Sequence, residues 1–305
     1  METRFESMKS LPQDHLLQPG TAMCSGCGGL EAVKLMQDVL GPKTLFVNAA
    51  GCMTLLNVYP NTPFPGSWLY TAMGSAPAGA QGVRDALDIQ LEKGRLAREQ
   101  DLQVVVLTGD GAAGGIGMSA TSAAIERGLD FIYLCYDNEG YGNTGHQTST
   151  GTPHGAYTAT DTAGYGVTGE KKDLFSIWAA HRPSYIATIT AAEPVDLARK
   201  IEQAKSMRGP RLLIALSPCP TGWHSDPRNS VKIGKLAVKT GIWPLKDYKN
   251  GKVTHTKRPQ AADHRPPVED YLKLQGRFDH LFHPEKRETT IMEIQASVDR
   301  YWEKN

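Results

Sequence analysis

Four of the five cysteines stand in segments rich in glycine or proline, namely MCSGCGG, AAGCMT and SPCPTGW. They are Cys24, Cys27, Cys52 and Cys219. Soft thiolate ligands select iron–sulfur clusters or zinc, and four cysteines complete the ligand set of either. Zinc ribbons usually carry two CxxC pairs, whereas two of these cysteines stand singly, which favours a cluster. The fifth, Cys135, lies inside the apolar segment FIYLCY, and we expect it in the core.

Oxygen-bearing side chains follow two apolar segments. Gly109, Asp110 and Gly111 come directly after QVVVLT, and Asn138 comes just after FIYLCY. If both segments are neighbouring parallel strands, these residues lie at carboxyl ends, where ligands bind and glycine lets phosphate approach backbone N–H groups. Mg²⁺ prefers oxygen ligands, so Asp110 and Asn138 could hold it with a diphosphate. GDG alone is also typical of a plain turn, and the second strand end is what favours a metal.

Apolar segments that alternate with helical patterns indicate βαβ units. We predict an α/β fold with a mostly parallel sheet and helices on both faces, because the strands are apolar throughout. The predicted strands are 44–48, 103–108, 131–136, 185–190 and 211–217, and the predicted helices are 30–40, 81–96, a helix ending near 127, 195–207 and 288–302. We expect an extended arm over 1–20 and a loop over 51–82. After about Asn229 the chain is basic and proline-bearing, which predicts an extended C-terminal arm.

Composition excludes several classes of protein. The 305 residues carry 33 Lys and Arg against 32 Asp and Glu, so no global field favours nucleic acid or an anionic membrane. No apolar run approaches the roughly 18 residues of a membrane span, and the start METRFESMKS has no apolar signal region. We therefore expect a cytoplasmic protein. GDGAAGGIG lacks the GxGxxG-plus-acid pattern of NAD sites, and there is no Walker A, HExxH or GxSxG motif.

Together the motifs resemble those of a known enzyme family. They are CSGCG, AGC, GDG, CYDNEGYGNTGHQTSTGTPHGA, SPCPTGW and EDYLKLQGRF, and they extend over nearly the whole chain. The chain resembles the thiamine diphosphate-binding beta subunit of the 2-oxoacid:ferredoxin oxidoreductases, the pyruvate:ferredoxin oxidoreductase superfamily. The resemblance implies a 4Fe-4S cluster on the four loop cysteines, and Mg²⁺ on Asp110, Asn138 and the Gly140 carbonyl. It also implies that Asn143 is catalytic and reaches the reacting centre.

The resemblance further implies which residues line the cofactor and how the chain divides. The expected cofactor-binding residues are Gly51, Cys52, Gly109, Asp110, Gly111, Asn138, Gly140, Tyr141, Asn143 and Thr144. Residues 1–228 are expected to form the thiamine diphosphate- and iron–sulfur-binding domain. Residues 229–305 are expected to form an arm that packs on partner subunits.

The implied reaction is the oxidative decarboxylation of a 2-oxoacid with coenzyme A to acyl-CoA and CO₂. Electrons pass through the cluster to ferredoxin or a similar acceptor. The implied partners are an alpha subunit with the pyrimidine-binding domain, and gamma and ferredoxin-like delta subunits or their equivalents. The pyrimidine-activating glutamate is expected on a partner, with Glu31 or Glu139 as the fallback in this chain. Pyruvate is the default substrate, with aryl acids such as phenylglyoxylate, branched-chain acids and oxalate as alternatives.

Two departures from the family pattern leave the substrate open. Gly115 stands where relatives often carry aspartate, and the segment GSAPAG (74–79) replaces bulkier polar residues. They predict either a larger pocket or repacking. His146 and His154 flank the NTG turn and could move protons, although loop histidines are more often solvated. Two alternative functions remain: a non-redox thiamine decarboxylase with structural zinc, and a cluster-binding electron-relay subunit without thiamine.

Overall fold

One mixed sheet forms the centre of the computed structural model, which describes residues 4–58, 60–161 and 164–305. Within these residues, the sheet has eight strands. They are β1 (Thr44–Ala49), β2 (Trp68–Thr71), β3 (Gln103–Gly109), β4 (Phe131–Asp137), β5 (Tyr185–Thr190), β6 (Pro210–Leu216), β7 (Leu245–Lys249) and β8 (Lys252–Lys257). Their spatial order is β2-β1-β3-β4-β6-β5-β7-β8, in which the first six are parallel and the last two antiparallel.

The central strands are covered on both faces, which explains why they are apolar without alternation. All seven residues of β4 are buried. In β3, Val104 and Val106 belong to the core on one face, and Val105 and Leu107 to the core on the other. The predicted α/β fold with a mostly parallel sheet is therefore confirmed.

Helices cover the two faces unequally. The helices are α1 (Gly28–Leu40), α2 (Ala76–Glu92), α3 (Met118–Glu126), α4 (Leu174–Ala180), α5 (Pro194–Lys205), α6 (Pro220–Trp223), α7 (Ser230–Lys239), α8 (Val268–Leu272) and α9 (Glu288–Glu303). Helices α1 and α5 pack on one face, and the other helices contribute to the core on the opposite face. No helix among the described residues is both long and apolar enough to cross a membrane.

The loop predicted over 51–82 was wrong in part. It contains β2 and the first turns of α2, which begins at Ala76. Strand β2 lies at the sheet edge with Leu69 and Tyr70 exposed, so it lacks the apolar pattern of a buried strand. The helix start was missed because Pro77 suggested a loop, although proline is well tolerated in the first helical turn.

The C-terminal segment is not a detached arm within this chain. Strand β7 pairs with β5 and extends the sheet. Ile291, Ile294 and Val298 of α9 are buried in the larger core. Contact of this segment with partner subunits stays a prediction. At the other end, Phe5 and Leu17 are buried in the core beside α1, so the described part of the predicted N-terminal arm also packs on the body.

Candidate functional site

Two turns bring oxygen ligands together at the carboxyl edge of the sheet. Strands β3 and β4 are parallel neighbours, with Gly109 opposite Tyr136. Asp110 and Asn138 therefore leave the sheet side by side. Their side chains are 3% and 6% exposed, which is unusual for polar residues unless they bind something.

Three oxygen atoms converge there. The Asn138 side-chain oxygen lies 3.0 Å from Asp110 Oδ1 and 2.7 Å from the Gly140 carbonyl oxygen. All three are acceptors, so either a cation lies among them or the amide turns to donate from its nitrogen. Adjacent ligands of an octahedral Mg²⁺, each about 2.1 Å from the ion, are about 3.0 Å apart. The residues present therefore fit Mg²⁺, and with the amide in this orientation its nitrogen donates to Cys52 Sγ over 3.8 Å.

The electrostatics of Asp110 also favour a bound cation. Burial, and then the charge of Asp137, raise the pKa of Asp110 to about 7. The Ser149 hydroxyl donates to the second carboxylate oxygen of Asp110 and opposes that rise. A divalent cation would stabilise the ionised form at neutral pH. Ser149 was missed in the sequence, where it is one of several hydroxyl residues in QTST.

Glycines bring the backbone close to its neighbours around these oxygens. A Cβ on Gly111 would lie 2.2 Å from a ring carbon of Tyr141, and one on Gly140 would lie 2.6 Å from the His146 ring. At Gly51 the Tyr136 hydroxyl would be 2.6 Å away. A side chain at any of these positions would force the loops apart.

The predicted catalytic residue lies at the tip of the same loop. Asn143 and Thr144 form part of a 3₁₀ turn (Gly142–Thr144) and are exposed, while Tyr141 is half-buried. The Tyr141 N–H donates to the Gln147 carbonyl at 2.9 Å and closes the loop. The turn therefore leaves the Asn143 side chain exposed at the carboxyl edge of the sheet.

The four loop cysteines come from three segments. Cys27 and Cys219 lie at the starts of α1 and α6, where their sulfurs accept hydrogen bonds from Leu30 N and Gly222 N, both at 3.4 Å. The Thr221 hydroxyl donates to Cys24 Sγ at 3.6 Å and so joins two of the segments. All five cysteines are free thiols, and Cys135 is fully buried in β4 as expected.

The four thiols interact electrostatically with one another. Burial is the main cause that raises the pKa of Cys27 to about 11 and of Cys52 to about 12, and the charges of the other loop cysteines add to it. Metal binding would therefore have to release protons. In the described part of the chain, no three His, Cys, Asp or Glu side chains form a group that could hold one metal ion. The donor set, four thiols with N–H donors on two sulfurs, fits a cluster.

A buried group of charges lies behind the Asn138 loop and was also missed. Glu139 adopts a left-handed backbone conformation with φ of +63°. Its carboxylate pairs with Lys171 at 2.7 Å and with fully buried Arg277 at 2.6 Å, and Lys171 also pairs with Asp137 at 2.7 Å. The sequence motifs contained Asp137, Glu139 and Arg277, but nothing in their spacing indicated that these residues form a network of ion pairs with Lys171.

Arg277 also connects the two sets of loops. Its guanidinium lies 3.9 Å from the centre of the Trp223 ring, in the helix that begins after Cys219. The Trp223 indole N–H donates to the Asn138 carbonyl at 2.8 Å. The buried Arg277 side chain therefore contacts both the loop that carries Asn138 and the segment that follows Cys219.

The remaining candidates fall into two groups. Glu139 is held by two ion pairs, and Glu31 is exposed on α1. His146 is buried between Gly140 and Gly222, and burial lowers its pKa to about 4. His154 pairs with Glu293 away from the oxygen site.

Comparisons with known proteins identify the family of the chain. The C-terminal thiamine pyrophosphate-binding domain of thiamine pyrophosphate enzymes matches residues 49–215, a range that includes the oxygen site. The chain is 40% identical over 293 residues to pyruvate synthase subunit PorB of Methanocaldococcus jannaschii, with 94% of this chain and 95% of that protein covered. It is 34% identical over 299 residues to ketoisovalerate oxidoreductase subunit VorB of Pyrococcus furiosus, with 97% and 94% covered.

A solved structure has the same fold. It is a 2-oxoglutarate:ferredoxin oxidoreductase from Magnetococcus marinus, with 2-oxoglutarate, coenzyme A and succinyl-CoA bound. The aligned region covers 72% of this chain and 72% of the solved chain, with a TM-score of 0.57 and 24% sequence identity. The fold and the site thus define a thiamine pyrophosphate-binding protein. More particularly, the chain belongs to the beta-subunit family of the 2-oxoacid:ferredoxin oxidoreductases.

Proposed function

We propose that this chain is the beta subunit of a complex that oxidatively decarboxylates pyruvate to acetyl-CoA and CO₂, with electrons passed through a 4Fe-4S cluster to ferredoxin. The observation that carries the proposal is the convergence of three buried oxygens, from Asp110, Asn138 and Gly140, next to Cys52. Contact between the metal-diphosphate site and a cysteine ligand would bring thiamine diphosphate close to the cluster that accepts its electrons.

Each set of residues has one task. Bound thiamine diphosphate supplies the electron sink that decarboxylation of a 2-oxoacid requires. Asp110, Asn138 and the Gly140 carbonyl hold Mg²⁺, while Gly109, Gly111 and Gly51 keep the backbone close. Tyr141 and Thr144 fix the turn from which the Asn143 amide hydrogen-bonds the reacting group. Cys24, Cys27, Cys52 and Cys219 hold the cluster.

Pyruvate is favoured over larger acids by the relatives. Pyruvate synthase subunits of Methanocaldococcus jannaschii and Methanothermobacter thermautotrophicus are 40% and 41% identical to this chain, against 34% for the ketoisovalerate subunit. A Cβ at Gly115 would lie 3.3 Å from the Tyr141 hydroxyl, and one at Gly74 would lie 3.2 Å from the Ile116 carbonyl. Since both glycines pack against neighbours, they give no independent support for an enlarged pocket.

The proposal requires partner subunits. The metal oxygens account only for the diphosphate end of the cofactor, and we propose that the pyrimidine-activating acid at its other end comes from an alpha subunit. The edge presents exposed groups where such a subunit would dock: Asn143, Thr144 and Ile116, whose side chain is 66% exposed. Gamma and ferredoxin-like delta subunits, with part of 229–305 as a docking surface, complete the electron path.

Anaerobic purification with metal analysis, visible spectroscopy and a thiamine assay tests the cofactors. We expect iron, sulfide and thiamine together. Zinc with thiamine would instead support the non-redox decarboxylase. A cluster that forms in a protein unable to bind thiamine would support the electron-relay subunit.

Viologen dye reduction tests the divided site. The chain alone, loaded with cluster, Mg²⁺ and thiamine diphosphate, should not reduce the dye with pyruvate. Co-expression with the neighbouring subunits should restore reduction. Robust activity of the single chain would contradict the divided site and would require an activating acid within these 305 residues.

A further inference from the structure

A cavity of about 360 Å³ lies between the sheet and helices α4 and α9. Its walls are mostly apolar and include Leu174, Phe175, Leu216, Trp243, Ile294 and Val298. Small-molecule sites typically measure about 300–1,000 Å³, with apolar walls and few polar groups. The cavity is separate from the oxygen site: Asp137 and Glu139 line it, whereas Asn138 between them faces Asp110.

One cation in this cavity has no anionic partner. Lys246 on β7 is 9% exposed, and its Nζ lies 4.3 Å from the centre of the Phe175 ring and 5.0 Å from that of Tyr301. In the described part of the chain, Nζ has neither an ion pair nor a hydrogen bond. Burial lowers the pKa of Lys246, and the charge of Asp173 opposes that shift without ion-pair contact. The two aromatic rings stabilise the ammonium only in part, and a bound anion would supply the missing ion pair.

The other charged groups of the cavity are engaged or lie at its rim. Lys171 pairs with Asp137 and Glu139, and Lys172 donates to the Gly114 carbonyl at 2.6 Å. Asp173 accepts from Ser176 N at 3.0 Å, Glu293 pairs with His154 at 3.1 Å, and Glu170 is exposed. Lys246 is therefore the cation left to receive a ligand.

We propose that this cavity binds a small carboxylate with an apolar body. The carboxylate of this ligand pairs with Lys246 Nζ. Its apolar body packs against Trp243, which lies just before β7, and against the apolar residues of α4 and α9. The apolar walls select against small polar anions such as phosphate, which would lose hydration without gaining hydrogen bonds there.

Calorimetric titration of the full chain with phenylacetate and with phenylacetamide tests the proposal. The two probes have nearly the same shape, and only the first is charged. We expect phenylacetate to bind at least about tenfold more tightly, a difference of about 1.4 kcal/mol. The Lys246→Met variant keeps an unbranched apolar side chain and should lose this preference. Lys249→Met, at the exposed end of the same strand, should keep it.

The wild-type comparison keeps the test independent of the stability of the variant. Equal affinity for the two probes, or no binding of either, would overturn the proposal. So would a phenylacetate preference that persists in Lys246→Met, because the ligand would then be bound elsewhere. Thermal unfolding of both variants, followed by circular dichroism, confirms that they are folded.

Discussion

The oxygen site (Asp110, Asn138 and Gly140) and the thiol site (Cys24, Cys27, Cys52 and Cys219) lie together at one edge of the sheet, yet they are built differently. Asp110 and Asn138 follow adjacent strands, so the sheet fixes their positions and buries them. The four cysteines come from residues 24–27, 52 and 219; Cys24 is exposed, and the other three are partly exposed. The first site is preformed by the fold, whereas the second depends on loops that its ligand must hold together.

Charge makes the contrast stronger. The oxygens lie close enough that, without a cation, they repel each other or need the Asn138 amide to turn. Cys27, Cys52 and Cys219 avoid such repulsion by staying protonated, because burial raises their pKa values. Metal removal should therefore disturb the oxygen site electrostatically and the thiol site conformationally.

The largest effect is expected from the oxygen site. Asp110→Ala should abolish saturable thiamine diphosphate binding at limiting Mg²⁺, because the metal loses its anionic protein ligand. Asn138→Ala, which removes a neutral ligand, should weaken binding less. Calorimetric titration measures both, with exposed Asp85→Asn as the control. Wild-type affinity in Asp110→Ala would remove that carboxylate from the metal site.

Loss of one thiol should disable the thiol site while leaving the oxygen site intact. Cys219→Ser should lose the cluster iron, because an open corner admits solvent and oxidation. Thiamine diphosphate binding should persist. Cys135→Ser should keep its iron, since that thiol is buried in β4. Equal iron in Cys219→Ser and wild type, measured after anaerobic purification, would require a different fourth ligand.

A turnover effect without a binding effect is expected at the loop tip. Asn143→Ala should lower 2-oxoacid-dependent dye reduction in the assembled complex by on the order of 10² to 10³, the usual cost of one preorganised hydrogen bond. Thiamine and iron contents should stay at wild-type levels, because the exposed Asn143 contacts neither proposed metal site. Unchanged turnover in a fully loaded variant would make Asn143 a turn residue.

Local patterns in the sequence predicted much of the fold and the separate parts of the site. Strands such as β4 are continuous apolar runs, and the GDG motif lies at the end of another, β3. The edge strand β2 was missed because Leu69 and Tyr70 are exposed, and local pattern carries little signal for such a strand. The packing of α9 onto the sheet depends on long-range contacts that basic, proline-bearing sequence does not reveal.

Side chains that act through other residues were the hardest to predict. Ser149 lies 39 positions from Asp110, and Arg277 lies 138 positions from Glu139. Neither pair has a spacing that indicates contact, because the fold alone brings these segments together. Buried partners of a predicted ligand become visible only when the three-dimensional structure is known.

Substitutions of Arg277 test whether the oxygen site and the thiol site influence each other, and the expected effects are the smallest of those described. Its guanidinium pairs with Glu139 behind the metal oxygens and stacks on Trp223 behind Cys219. Burial raises the pKa of Cys219, and the charge of Arg277 opposes that rise. Arg277→Lys keeps the charge but loses the planar contacts, so thiamine diphosphate affinity should fall about tenfold, the lower end for a partner of a metal ligand. The cluster potential should move little.

Arg277→Gln removes the charge as well. It should lower both the affinity and the cluster reduction potential, because a nearby positive charge favours the reduced cluster. Calorimetric titration and a redox titration followed by electron paramagnetic resonance measure the two quantities, with exposed Arg300→Lys as the control. If Arg277→Gln changes the affinity alone, the oxygen and thiol sites are independent. Arg277 would then support only the loop that carries Asn138.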